Sequence, residues 1–147
     1  MTSGARSSPS TELVELVARL ADPSPATRLD ASGGLYWSMQ QARHDDSILA
    51  VLPAVLSAKE AAATRQERLM EINLQQVIAL VGPVAIPYLL QDLRSAAREL
   101  RSGAAMTLGL MGELARQALP ALVAAAGIEK DALVRHYLAG AIAGIQK

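Results

Sequence analysis

The segments LPAVL (residues 52–56), IPYLL (86–90) and LPALV (119–123) repeat one another along the chain. Their prolines lie 34 and then 33 residues apart, and an apolar pattern with helical spacing accompanies each one. A period of roughly 20 to 50 residues is typical of proteins built from stacked structural repeats. The spacing therefore predicts an α-solenoid.

A second motif completes each unit. It begins with an apolar residue and an arginine, at Arg101 and Arg135, and continues with apolar residues three, seven and ten positions later. These are Ala104, Leu108 and Met111 in one copy and Leu138, Ile142 and Ile145 in the other. A weaker copy begins at Arg28. The three arginines are therefore equivalent positions of the repeat.

The combination of Leu/Ile-Pro-x-Leu, a turn, and Val-Arg-x-x-x-Ala-x-x-x-Leu-Gly resembles HEAT repeats, in particular the bacterial kind found in phycobilisome lyases. The motif LGLMG at residues 108–112 carries the same resemblance. The resemblance implies a right-handed α-solenoid of about four antiparallel helix pairs over residues 10–147, with the second helices lining the inner curve. We expect residues 1–9, which are polar and rich in Ser, Gly and Pro, to form a flexible tail.

The second helix pair admits two registers. Thr64-Arg65 has the spacing of the other arginine motifs, but it places Arg68 at a buried position. The alternative places Met70, Leu74, Ile78 and Val81 on one helix face, an apolar stripe of the right period. We prefer this register, which puts Glu71 at the arginine position and predicts a helix from about residue 59 to 81.

Composition favours an all-α fold. The 147 residues are 51% hydrophobic and 3% aromatic, with no Phe or Cys, and Ala and Leu, which dominate, are strong helix formers. The chain carries 14 basic and 14 acidic residues, which argues against a nucleic-acid partner because phosphate contacts need clustered Lys and Arg. We expect no secretory signal and no membrane span, and hence a cytoplasmic protein.

No catalytic, metal-binding or cofactor-binding residue is predicted. With two histidines and no cysteine, the chain lacks a convincing nucleophile-base grouping. The stretch RHDDS at residues 43–47 contains metal-ligand types. Its acids and serine are better explained as the N-cap of the helix that carries Pro53.

The resemblance to HEAT repeats implies that the arginines form a ladder with acidic residues of the inter-helix turns. Arg28 has Asp22 six residues before it, and Arg135 has Glu129 six before it. Arg101 has Ser95 there, so we expect Glu71 of the preceding unit to supply its acid. Alternatively, Arg101, with Arg94 and Arg98, binds an acidic partner.

Two further places are candidate partner-binding surfaces. Tyr36 and Trp37 either anchor a partner, since Trp and Tyr are enriched in interface hot spots, or fill space beside Gly33 and Gly34. The last helix, residues 132–145, has Arg135 and His136 as its only polar side chains. We expect it, including Tyr137, to dock onto a second copy or a protein partner; otherwise its small residues form a modest exposed surface.

The sequence thus predicts a non-catalytic protein-interaction module, a scaffold or adaptor whose concave strip includes Trp37, Glu71, Arg101 and Arg135. The resemblance to lyase-type repeats leaves an alternative, an accessory subunit of a bilin lyase with Tyr36, Trp37 and Tyr88 as pocket walls.

Overall fold

A computed structural model describes residues 2–41 and 46–147. The chain is 87% helical, and its described residues contain no β-strand, which confirms the all-α prediction. The helices are α1 (Thr2–Arg19), α2 (Pro25–Gln41), α3 (Asp46–Arg65), α4 (Arg68–Val81), α5 (Ile86–Asp92), α6 (Arg98–Met111), α7 (Leu119–Ile128) and α8 (Ala132–Gln146). Two 3-10 segments, Pro83–Ala85 and Gly112–Ala118, precede α5 and α7.

The repeated prolines do not all have the same structural place. Pro87 and Pro120 lie in the first turn of α5 and α7, where a missing N–H costs nothing because that donor has no helical partner. Pro53 lies inside α3. The predicted start of the helical domain at residue 10 falls within α1, which begins at Thr2. A flexible tail over residues 1–9 stays a prediction.

The chain divides into two compact units, Met1–Val77 and Ile78–Lys147, and the boundary falls within α4. In the first unit, α1 packs against α2 and α3, and buries Leu13, Val17 and Leu20. Gly34 of α2 lies close to a side chain of α1. A Cβ on Gly34 would lie 3.2 Å from Leu16 of α1.

Helices α2 and α4 of the first unit run side by side in the same direction. Near the start of α2, Arg28 contacts Glu67, the residue before α4. Four residues later, Ser32 accepts a hydrogen bond of 3.0 Å from the side-chain amide of Asn73. Contacts that advance together along two helices require parallel directions.

The preferred register of α4 is confirmed, but its predicted length is wrong. Met70, Leu74 and Ile78 are buried, and Val81 is half-buried. The predicted helix over residues 59–81 is interrupted, because Gln66 adopts a left-handed conformation with φ of 61°. That conformation ends α3 and begins a new helix at Arg68, so that Glu71 becomes the fourth residue of α4.

The second unit is built around the contact between α6 and α8. Leu108 of α6 and Val134, Leu138 and Ile145 of α8 are buried completely. The backbones come close where Gly109 faces Ala141, since a Cβ on Gly109 would lie 3.3 Å from the Ala141 Cα. Helix α5 packs on α6, and α7 packs on α8.

Glycine substitutions on the two partners of this contact should have opposite effects. Gly140 lies on α8 with open space around its Cβ position, so Gly140→Ala should stabilise the fold by about 0.5–1 kcal/mol through helix propensity. Gly109→Val should destabilise it by about 1–3 kcal/mol, because the added atoms meet backbone that cannot move aside. Urea unfolding followed by circular dichroism measures both, and equal effects of the two would contradict the close contact.

Candidate functional site: an arginine ladder and an apolar groove

Arg28 links α2 to α4 through three oxygen atoms of two turns. One terminal nitrogen donates to the backbone carbonyls of Asp22 and Pro23 at 2.7 and 3.0 Å. The other terminal nitrogen donates to the Glu67 carboxylate at 2.6 Å. The side chain is nearly buried, and its Nε has no hydrogen-bond partner among the described residues. The guanidinium thus closes its own turn and holds the next one.

Arg101 repeats this geometry in the second unit. One terminal nitrogen donates to the backbone carbonyls of Ser95 and Ala96, both at 3.0 Å. Its Nε and other terminal nitrogen donate to the two carboxylate oxygens of Glu129, at 2.9 and 3.1 Å. Such bidentate pairs are among the strongest hydrogen-bonded contacts that side chains make.

The match between the two sites has a local cause. Each arginine is the fourth residue of its helix, α2 or α6, and each helix follows a five-residue turn. Side chains on a helix lean toward its N-terminus, so a guanidinium at this position reaches the carbonyls five and six residues earlier. The rest of its planar fork points at the turn before the neighbouring parallel helix.

The predicted ladder exists within each unit, but the predicted pairings are wrong. Arg28 uses the carbonyl of Asp22, not its carboxylate, and takes its acid from Glu67. Arg101 takes its acid from Glu129 of the following turn, not from Glu71. The reason is that the turn before each arginine's helix offers backbone oxygens at hydrogen-bond distance. The carboxylate of that turn is therefore left for the arginine that comes earlier in the chain.

The ion pairs lower the pKa values of their acids, as expected for a carboxylate bound by a cation. The hydrogen bond from Arg28 lowers the pKa of Glu67 below its ordinary 4.5, and the bond from Arg101 does the same to the pKa of Glu129. The pKa of Asp131 is lowered first by the backbone N–H of Val134, because its carboxylate caps α8. Asp131 also lies 3.4 Å from Arg98.

Arg135 holds the same position, the fourth residue of α8. Its side chain is exposed and makes no hydrogen bond or ion pair with the described part of the chain. At the corresponding place in α4 lies Glu71, which accepts a hydrogen bond from Gln75. The acid expected for Arg135, Glu129, is already occupied by Arg101.

An apolar groove of about 690 Å³ lies beside this ion pair, between α5 and α7. Its lining is apolar on the helices and charged at the turns. The lining residues are Leu90, Leu93, Arg94, Arg101, Ala121, Ala124, Ala125, Ile128, Glu129 and Lys130. Arg101 and Glu129 neutralise each other, while Arg94 and Lys130 are exposed and form no ion pair with the described residues. The groove is therefore apolar with two uncompensated cations at one end.

The most unusual element of the second unit is α7, not α8. None of the ten residues of α7 has a polar side chain, yet only Leu122 is fully buried. Ile128 is 80% exposed and Val123 is 52% exposed. In α8, Val134, Leu138, Ala141 and Ile145 are buried and most of the exposed residues are small or polar. Docking of this helix onto a second copy or a partner stays a prediction. The uninterrupted apolar stretch of α7 was the overlooked signal in the sequence.

The aromatic candidates are dispersed. Trp37 is 63% exposed, so it does not fill the space beside Gly33 and Gly34, while Tyr36 is half-buried. In the second unit, the rings of His136 and Tyr137 meet edge to face at 5.5 Å. Tyr88 lies on α5 and is also exposed.

Several other predictions concern what the chain lacks. Residues 42–45, which include His44 and Asp45 of the RHDDS stretch, lie outside the described residues. In the part that the structure describes, no three His, Asp or Glu side chains converge as a metal site. Within the same part, no single helix is long and apolar enough to cross a membrane, and only the bent pair Arg68–Val81 with Pro83–Asp92 reaches that length and composition jointly.

Replacing the arginine of the ladder should cost much more stability than replacing its unpaired equivalent. Arg101→Gln leaves the nearly buried Glu129 carboxylate without its partner, so we expect a loss of about 2–4 kcal/mol in the free energy of unfolding. Arg135→Gln, at the same helix position, should change it by less than about 0.5 kcal/mol. Denaturant titration of dilute protein compares the two, and a similar cost for both would refute the ladder.

The ladder should also make stability depend on acidity. Because the folded-state pKa of Glu129 is depressed, its contribution is complete above its ordinary pKa and is lost as pH falls through the lowered value. Wild-type protein should therefore lose stability as pH falls below about 4.5, the ordinary pKa of this carboxyl group. Arg101→Gln should flatten part of that slope, and Glu67, still paired, should retain the rest. An unchanged slope in the variant would contradict this assignment.

Comparison of the chain with protein-family models, with curated proteins and with solved structures found no match. The resemblance to HEAT repeats therefore depends on the motifs of the sequence alone.

Proposed function

We propose that this chain is a non-catalytic interaction module with HEAT-like architecture, and that its groove binds an acidic amphipathic helix of a protein partner. The observation that carries the proposal is α7, an entirely apolar helix with one buried residue. A helix that is apolar all round is normally covered on more than one side. Exposed apolar surface of this kind marks protein-interaction sites.

The arginine geometry supports the HEAT-like arrangement. In each unit, two parallel helices are joined by an arginine that holds its own turn and the turn of its neighbour. A solenoid of about four helix pairs is the arrangement in which one such contact recurs along the chain. We propose this number of helix pairs and their stacking together with the function.

The groove favours a helix over other ligands. Three of its six apolar lining residues are alanines, whose small side chains suit contact with the apolar face of a helix. Arg94 and Lys130 at the rim select acidic flanking residues through charge complementarity.

The proposed partner surface differs from the one expected from sequence alone. Arg94, Arg101 and Glu129 contribute to the groove, whereas Trp37 and Glu71 belong to the first unit. The bilin-lyase alternative has no comparable support. None of its three supposed pocket walls, Tyr36, Trp37 and Tyr88, lines the groove.

Designed peptides of about 18 residues, five helical turns, test the proposal. One carries an apolar stripe flanked by Glu, and another carries the same stripe flanked by Lys. Fluorescence anisotropy of labelled peptides should show that the acidic one binds at least about tenfold more tightly. Equal affinity, or absence of binding by both, would rule out an acidic helix as the occupant.

Charge reversal in the groove provides the specific control. The double variant Arg94→Glu/Lys130→Glu should weaken binding of the acidic peptide by about tenfold or more, and should improve binding of the basic peptide. Arg116→Glu changes an exposed arginine that does not line the groove. It should leave both affinities within about twofold of wild type, since remote surface charges are screened.

A further inference from the structure

One arginine and one acid that could form a further contact of this kind are each without an ion-pair partner among the described residues. Arg135 has the helix position of Arg28 and Arg101, but it binds no carboxylate of the described residues. Asp22 has the reciprocal place, because it lies six residues before Arg28 as Glu129 lies six before Arg135. No described arginine or lysine binds the Asp22 carboxylate.

The two acids are also alike in local geometry. The Asp22 carboxylate accepts the backbone N–H of Ser24 at 2.9 Å, and the Glu129 carboxylate accepts the N–H of Asp131 at 3.0 Å. In each case the N–H belongs to the residue two positions later. This bond orients the carboxylate within the turn before the second helix. Glu129 in that orientation is bound by Arg101 of the neighbouring helix α6.

The exposed side of α8 repeats the side of α6 on which α8 packs. On α6 that side contains Arg101 and Gly109, the residues that contact the turn before α8 and α8 itself. The same spacing on α8 gives Arg135 and Ala143, with Ala139 between them, and all three are exposed. We call these three residues the α8 outer face. At 100° per residue it lies roughly opposite Ala141, which faces α6.

Trp37 occupies the position on α2 that such a face would cover. It lies nine residues after Arg28, as Gly144 lies nine after Arg135, and Gly144 approaches the backbone of Gly109 on α6. On α2, Trp37 is about 140° around the helix from Ser32, which faces α4. A large exposed indole is therefore matched in position to a face with small side chains, while the charges of Arg135 and Asp22 are complementary.

We propose that the α8 outer face binds the α2 surface of a second copy of this chain, with Arg135 donating to the Asp22 carboxylate and Trp37 packing on Ala139 and Ala143. Such a contact joins different surfaces of the two copies, so association proceeds head to tail and is not limited to two copies. The ladder then continues from one molecule to the next. The groove between α5 and α7 takes no part in it.

The single tryptophan of the chain makes the proposal directly measurable. Sedimentation velocity at concentrations up to about 1 mM should show an average mass that rises past that of a dimer. The emission of Trp37 should shift to shorter wavelength over the same range, because the indole leaves water. A monomer throughout would overturn the proposal, as would a closed dimer with unchanged emission.

Charge exchange identifies the contact. Arg135→Asp and Asp22→Arg should each weaken association by about tenfold or more, and the double variant should restore it at least in part. Circular dichroism verifies that each variant remains helical. Failure of the double variant to recover, with all proteins folded, would overturn the pairing.

The groove variant Arg94→Glu/Lys130→Glu separates this proposal from the function proposed above. It should associate like wild type, because neither residue lies on the α8 outer face or on α2. Loss of association in that variant would overturn the assignment of the contact to these surfaces, irrespective of the peptide result. Conversely, failure of peptide binding would leave the self-association measurements unaffected.

Discussion

A guanidinium that binds two turns at once is the constraint on which each unit depends. At Arg28 and Arg101 the side chain satisfies backbone carbonyls that precede its own helix and the carboxylate that precedes the neighbouring helix. Both arginines are largely removed from water. A charge in such an environment is tolerated only when it has partners. The partners therefore determine where the neighbouring turn lies. Parallel alignment of the paired helices follows from that position.

The arginine contacts fix where the paired helices begin, and this determines where the helices can pack closely. Where the arginine holds the starts of α6 and α8 in register, the helices can approach most closely at Gly109, which faces Ala141. In the first unit the close contact is of another kind, between Gly34 of α2 and the side chain of Leu16 of α1. The apolar residues of α6 and α8 complete the core of the second unit, and α7 contributes little beyond Leu122. That imbalance leaves α7 and the groove beside it as the proposed interaction surface.

The two proposed interactions use different physical resources of the same fold. The groove offers apolar area with Arg94 and Lys130 at its rim, and so selects an acidic helix. The α8 outer face offers little apolar area, but it repeats the geometry of a contact already present inside the chain. Its specificity would come from the complementarity of Arg135 with Asp22 and from the fit of Trp37 to small side chains.

The sequence by itself determined the helical class, the shared helix position of Arg28, Arg101 and Arg135, and the register of α4. These are properties of spacing, and spacing along a helix decides which residues share a face. Tertiary structure alone decided which carboxylate each arginine binds. An acid six residues earlier in the chain and an acid in a neighbouring turn are equally accessible to a long arginine side chain. It also decided that α8 buries Val134, Leu138 and Ile145 while most of the apolar α7 stays unburied, since burial depends on which helices pack on each face and not on how apolar a helix is.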